Sequence, residues 1–194
     1  YTSENNSWLF EFPSLPKGRF NSVCFVYRDS LYVFGGTDNS SNMNEIVRYD
    51  LSTQNSGEWT TIAKVNEANQ RGGVAFVVED KVYAGLGEKS NGIRNGFYVS
   101  SDSLTKWELI PSIPAQLGVI SSGVYDEQKK SCFMIDNDGK IWEYNLTTEQ
   151  WTSRSLWIRM KNYHMFMLDG SIYILGQDIY QKNKFTVYNP IWDN

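Results

Sequence analysis

Four of the seven tryptophans, Trp8, Trp59, Trp107 and Trp151, stand 51, 48 and 44 residues apart. Around each one a short strand-like run gives way to a polar turn. A self-similar period near fifty residues limits the fold more than any single motif. It means that one supersecondary unit is stacked repeatedly, and 194 residues hold about four such units. Within each unit, helical periodicity is nearly absent. Runs rich in Val, Ile, Tyr, Phe and Trp are closed by Gly, Asn, Asp, Ser or Pro within about ten residues, which is the signal of antiparallel strands in a meander. The chain is therefore expected to be all-β, with no helix longer than about two turns.

Aligned on the tryptophans, the unit reads as four strands. The first copy runs FNSVCFVY, a turn at Arg28-Asp29-Ser30, LYVFGG, a long polar loop, NEIVRYDL and WTTIA. The second runs GGVAFVV, KVYAGLG, GFYVS and WELI. The third runs ISSGVYD, KSCFMI, a tight Asn137-Asp138-Gly139 turn, KIWEYNL and QWTSRS. The fourth runs HMFML, SIYILG and KFTVYNP, and it lacks a last strand.

This unit resembles the kelch repeat of β-propellers, within the galactose oxidase and kelch-like superfamily. Gly35-Gly36 closes the second strand, Tyr49-Asp50 ends the third and Trp59 opens the fourth. Gly85 and Gly87 with Tyr98 and Trp107, Tyr144 with Trp151, and Gly176 with Tyr188 repeat parts of that pattern. Only the first unit has the double glycine, and the third has Ile135-Asp136 in its place. The resemblance implies a single kelch-type propeller domain over 1–194, with four-stranded antiparallel blades at about 17–66, 67–114, 115–158, and 159–194 together with 1–16. Blades pack face to face, so Trp and Tyr rings are expected to fill the wedges between sheets. The glycines are expected where a Cβ would collide with the next blade or where φ is positive.

Closure of the ring is open to two readings. LFEF after Trp8 offers the fourth strand of the last unit, which would close a four-bladed ring. Tyr1 precedes Trp8 by the interval that separates Tyr144 from Trp151, so Tyr1 and Tyr188-Asn189-Pro190 compete for one third strand. That competition favours four blades taken from a longer ring, commonly six or seven blades in kelch proteins.

Composition excludes some partners. Eighteen basic against 22 acidic residues leave a net charge of −4 without a basic run, so no nucleic-acid partner is expected. No apolar run is long enough to span a bilayer. The opening YTSENNSW has neither an initiator Met nor a signal-peptide core, which reads as a processed or trimmed start. Cys24 and Cys132 sit in strand-like runs two blades apart, and they are expected to be free thiols beyond disulfide reach. The Asn/Ser-rich loops and aromatic load resemble those of secreted or surface bacterial kelch proteins. The resemblance implies an extracellular, periplasmic or cell-surface location, and the sequons at Asn5, Asn39 and Asn145 matter only in a eukaryotic secretory setting.

Function in propellers usually lives in loops. In an up-and-down blade, the inter-blade connection and the loop after the second strand emerge on the same face. That face should carry Arg19, Arg71, Arg159, Lys161, Asn162 and Tyr163 ahead of first strands. The second-strand loops add Asp38, Asn39, Asn42, Glu88, Lys89, Asn91, Arg94, Asp178 and Tyr180. Guanidinium forks and amides in such a ring suit carboxylates or sugar hydroxyls, with aromatics as stacking platforms. The bland alternative is a solvated rim.

Catalytic chemistry has little to build on. The one histidine, His164, lies in a strand-like run, so sites needing two or three histidines cannot form from this chain, the copper site of galactose oxidase included. No G-x-S-x-G elbow occurs. Asp136-Asn137-Asp138-Gly139 lacks the spacing and terminal Glu of a calcium loop and reads as a hairpin turn. No metal or cofactor is expected. Two functions remain: a noncatalytic propeller binding a protein or glycan through its loop face, or a carbohydrate-active enzyme similar to the sialic-acid epimerase (mutarotase) propellers. In the latter, arginines and a carboxylate would hold an acidic sugar and move a proton.

Overall fold

The structure is a computed structural model, and it describes residues 6, 13–53, 57–90, 92–93, 96–101, 103–114, 122–136, 138–157 and 160–190. Blade 1 contains β1 (Val23–Tyr27), β2 (Ser30–Phe34), β3 (Glu45–Asp50) and β4 (Thr60–Lys64), hydrogen-bonded in chain order. Blade 2 contains β5 (Val74–Val78) and β6 (Lys81–Gly85). A two-stranded ribbon follows, β7 (Glu88–Lys89) and β8 (Gly92–Ile93), and then β9 (Phe97–Ser101) and β10 (Glu108–Ile110). Blade 3 is β11 (Gly123–Asp126), β12 (Ser131–Ile135), β13 (Lys140–Asn145) and β14 (Gln150–Trp157). Blade 4 has β15 (Lys161–Leu168), β16 (Ser171–Gln177) and β17 (Asn183–Tyr188).

Every neighbouring pair within a blade is antiparallel, and the four sheets are arranged as propeller blades. Among the described residues the only helices are two three-residue 3-10 turns. The expected closing strand after Trp8 lies outside the described residues. Turn chemistry fixes the register. Arg28 and Asp29 both have positive φ (45° and 55°), as the two-residue hairpin between β1 and β2 requires, and Asp169-Gly170 repeats the geometry between β15 and β16.

Side chains alternate between the two faces of each strand, and those turned toward a neighbouring blade are buried. Val23, Phe25 and Tyr27 of β1 point forward, toward blade 2, and pack with Tyr32, Phe34, Val82, Ala84 and Leu104. The seam between blades 2 and 3 gathers Phe76, Phe97, Cys132, Met134 and Tyr144. The seam between blades 3 and 4 gathers Val124, Phe133, Ile135, Tyr163, Met165, Ile172 and Ile174. The repeated tryptophans have a shared task. The Trp59 indole donates to the Pro13 carbonyl at 2.8 Å and that of Trp151 to the Pro111 carbonyl at 2.6 Å, while their rings lie 5.4 and 4.8 Å from those of Tyr49 and Tyr144. Trp151 thereby fills the wedge between blades 2 and 3, and both indoles satisfy their one polar atom.

The double glycine is explained by its neighbour. Gly35 has φ +63°, and a Cβ there would stand 2.5 Å from the Ala68 carbonyl oxygen and 2.6 Å from that of Gln70, both in the connection to blade 2. Gly36 donates its N–H to the same Gln70 carbonyl at 2.8 Å. Blade 3 dispenses with glycine because Asp136 caps a short hairpin. Its Oδ1 accepts the backbone N–H groups of Asp138 and Lys140, and its Oδ2 accepts the Trp142 indole at 2.9 Å.

Cys24 is exposed on the rear face of β1, whereas Cys132 is buried in β12, and both are free. Burial pushes the Cys132 thiol far above its ordinary value, and partial burial raises Cys24 less, against the pull of Arg19. Two outcomes are expected. Gly35→Ala should destabilise the protein by roughly 2–3 kcal/mol in urea unfolding, through strain at positive φ and collision with blade 2. Thiol titration should find Cys24 reactive in the native state and Cys132 only after unfolding; recovery of no thiol in denaturant would contradict the blade assignment.

Candidate functional site

In blades 1 and 2 the connection into the first strand and the loop leaving the second strand share one face. Its best-defined part lies over the seam between blades 1 and 2. Beyond the glycines, each blade adds one further cross-strand pair: Phe20 opposite Thr37 in blade 1, Arg71 opposite Glu88 in blade 2. Both pairs exchange two backbone hydrogen bonds, at 3.0 Å in blade 1 and 2.9 Å in blade 2. The pairs are tied across the seam by Gly72 N–H to the Asn21 carbonyl at 2.7 Å and Asn42 Nδ2 to the Glu88 carbonyl at 3.0 Å. The result is a backbone-clamped platform that displays Phe20, Asn42, Arg71 and Glu88.

Arg71 and Glu88 form a two-point contact, Nη2 to Oε1 at 2.9 Å and Nε to Oε2 at 3.3 Å, with 43% and 27% of their side chains exposed. The carboxylate raises the Arg71 pKa further, through hydrogen bonding and charge. So exposed an ion pair contributes little to stability. Its importance is chemical: a guanidinium and a carboxylate stand side by side and partly exposed, so the pair offers donors and acceptors together. Phe20, 44% exposed, supplies an apolar surface in the corresponding position one blade earlier.

Beneath Arg71 two polar atoms have no partner among the described residues. Gln70 Oε1 accepts the Gly87 N–H at 2.9 Å, but its Nε2 and the Oδ1 of Asn69 are buried and unpaired.

The other expected site residues divide three ways. Arg19 is turned inward with 1% of its side chain exposed. It donates to the Gly35 carbonyl at 3.1 Å and to Glu45 Oε2 at 3.2 Å, so it staples blade 1 and leaves no guanidinium at the surface. Tyr163 is buried in the seam between blades 3 and 4 with its hydroxyl on the Ile135 carbonyl, and it belongs to the core. Lys161 is placed by its backbone opposite Gln177, its side chain and that of Asn162 lie outside the described residues, and so do Asn91, Arg94 and Arg159 altogether. The loop carboxylates are engaged locally. Asp38 is held far below the usual carboxylate range by the Lys17 ammonium and by Ser40 and Ser41, and Asp178 accepts the N–H groups of Tyr180 and Lys182.

Sequence reasoning missed Phe20, Asn69 and Gln70, none of which carries a type signal for binding. It also missed a polar cavity of about 470 Å³ at the opposite end of blade 2, lined by Lys81, Ser100, Ser103, Thr105 and Lys106. The Ser/Thr-rich stretch joining β9 to β10 was its one available cue.

Residues 18–66 match the kelch motif, and these residues are blade 1 and its connections. No curated protein matches the chain in sequence. Among solved structures, that of YjhT has a similar fold, with a TM-score of 0.66 at 10% identity over 91% of this chain and 67% of that chain. Blade 1 thus carries a kelch motif, and the same antiparallel four-stranded unit is repeated behind it in a β-propeller.

Proposed function

We propose that the protein is a noncatalytic binding propeller that takes a protein or glycan ligand on the face over blades 1 and 2. One observation carries the reading: the Arg71–Glu88 fork is half-exposed, fixed by backbone pairing on both strands, and flanked by an exposed Phe20. A fork with donors and acceptors side by side suits hydroxyl and amide groups, which exchange hydrogen bonds in both directions. Because the platform is clamped before a ligand arrives, little ordering entropy is lost on binding. An acidic-sugar enzyme would need a guanidinium free to meet a carboxylate, and Glu88 already neutralises Arg71, so that alternative draws no support from this pair.

Screening the protein against a glycan array and a displayed peptide library tests the reading, with calorimetry on the hits. Arg71→Ala should weaken a genuine ligand at least tenfold, which is about 1.4 kcal/mol, while leaving the thermal midpoint within about a degree of wild type. Glu88→Gln separates ligand classes. A hydroxyl or amide ligand should bind it more weakly, and a carboxylate ligand more tightly, once the competing charge is gone. Hits that bind wild type and Arg71→Ala equally would show that the platform is a hydrated surface.

A further inference from the structure

At the end of blade 2 opposite the platform, the rows across β6, β9 and β10 turn from apolar to polar. Gly85, Phe97 and Ile110 form one row, Tyr83, Val99 and Glu108 the next, and Lys81 and Ser101 the last. Residues paired in this way share one face of the sheet. Phe97 is buried on that face in the seam with blade 3, with Ile110 and Tyr83 packed beside it. Past the seam, Lys81, Val99, Ser101 and Glu108 line the cavity of about 470 Å³. The connection from β9 to β10 supplies its other wall, with Ser103, Thr105 and Lys106. That connection is pinned before any ligand arrives. Leu104 has positive φ (57°), is fully buried and packs into the seam with blade 1. The Trp107 indole donates to the Leu104 carbonyl at 3.0 Å, and Ser100 Oγ donates to the Lys106 carbonyl at 2.5 Å. The Ser103 and Thr105 hydroxyls share one hydrogen bond at 2.8 Å, which leaves each with further capacity.

The charge of the cavity is set by two lysines. Every described arginine is paired with a carboxylate, but the ammonium groups of Lys81 and Lys106 have no ion-pair partner among the described residues. On a chain of net charge −4, the described lining thus holds two cations against the single carboxylate of Glu108. An ammonium is a compact point charge that suits phosphate or sulfate, whereas a planar carboxylate is better met by a guanidinium fork. The volume falls among those of small-molecule sites, roughly 300–1,000 Å³, and exceeds what a bare ion fills. Hydroxyls on the connecting wall and the Glu108 carboxylate can exchange hydrogen bonds with a polyol. We propose that this cavity binds a monosaccharide carrying a phosphate or sulfate group, with the anion held by Lys81 and Lys106 and the ring hydroxyls met by Ser103, Thr105 and Glu108. The site is separate from the Arg71–Glu88 platform and stands or falls independently of it.

Calorimetry and amide NMR titrations with glucose 6-phosphate, glucose 6-sulfate, glucose and inorganic phosphate test the proposal. At least one charged sugar should bind and shift the amide signals of Ser101, Ser103, Thr105 and Lys106, and the tighter of the two identifies the anion. Glucose and inorganic phosphate should each bind at least about tenfold more weakly than that sugar, since each lacks half of the contacts. Lys81→Gln and Lys106→Gln should each weaken the sugar at least about fivefold without moving the thermal midpoint, because both side chains are exposed. Lys182→Gln removes the same charge from blade 4 and should leave the affinity unchanged. Glucose binding as tightly as the charged sugars would show that the lysines are idle, and inorganic phosphate binding as tightly would show an ion site that takes no sugar. Either result would overturn the proposal, as would failure of both charged sugars to bind or an equal loss in Lys182→Gln.

Discussion

Everything in this molecule depends on one contact, the apolar forward face of a blade against the apolar rear face of the next. A four-stranded sheet with apolar residues on both faces cannot stand alone in water, because each fully buried large apolar side chain contributes roughly 1.5–3 kcal/mol that an isolated blade forfeits. Phe25 and Tyr32 against Val82 and Ala84, and Phe76 and Phe97 against Cys132 and Met134, are versions of one large-on-small packing. The rings widen the space at the outer part of the wedge, and the small residues let the inner strands approach. That geometry explains why the unit repeats at a fixed length. A blade of different width would leave one of its two seams unfilled.

The seam also governs the polar face above it. Gly36 N–H to the Gln70 carbonyl, Gly72 N–H to the Asn21 carbonyl and Asn42 to the Glu88 carbonyl all cross from blade 1 to blade 2. These bonds are possible because the glycines let the two backbones approach within hydrogen-bonding distance. The loops there are consequently fixed by the same approach that builds the core. In blade 3 Asp136 turns the chain straight into β13 instead. Among the described residues, the backbone-clamped platform therefore lies over one seam, that between blades 1 and 2.

The architecture was legible because its signals are periodic. The tryptophans, the tyrosines before them and the strand-closing glycines each recur, so one ambiguous copy is corrected by the others. The site was less legible because it turns on a register of one residue. Arg19 and Arg71 look equivalent in the sequence, each just ahead of a first strand. The cross-strand pairs show otherwise: Arg71 corresponds to Phe20, and Arg19 corresponds to Gln70. Side chains alternate along extended backbone, so the one-residue offset sends one guanidinium out to solvent and the other inward to Glu45 and the Gly35 carbonyl. Tyr163 fails for the same reason, being an inward position of β15 that composition alone makes look like loop chemistry.

The offset has a physical sense beyond bookkeeping of register. The inward position ahead of β1 or β5 sits under the platform and must satisfy backbone atoms that the glycines leave bare. In blade 1 a charged side chain does this, with Arg19 reaching the Gly35 carbonyl and needing Glu45 to offset its buried charge. In blade 2 a neutral amide does it, Gln70 accepting the Gly87 N–H and leaving its own Nε2 unpaired. The neutral solution avoids burying an ion, and the one-residue offset leaves Arg71, not its inward neighbour Gln70, to carry a guanidinium to the surface beside Glu88. Blades 1 and 2 thus meet the same backbone demand with different side chains, and the residue one place further along is the one that reaches the surface in each, Phe20 in blade 1 and Arg71 in blade 2.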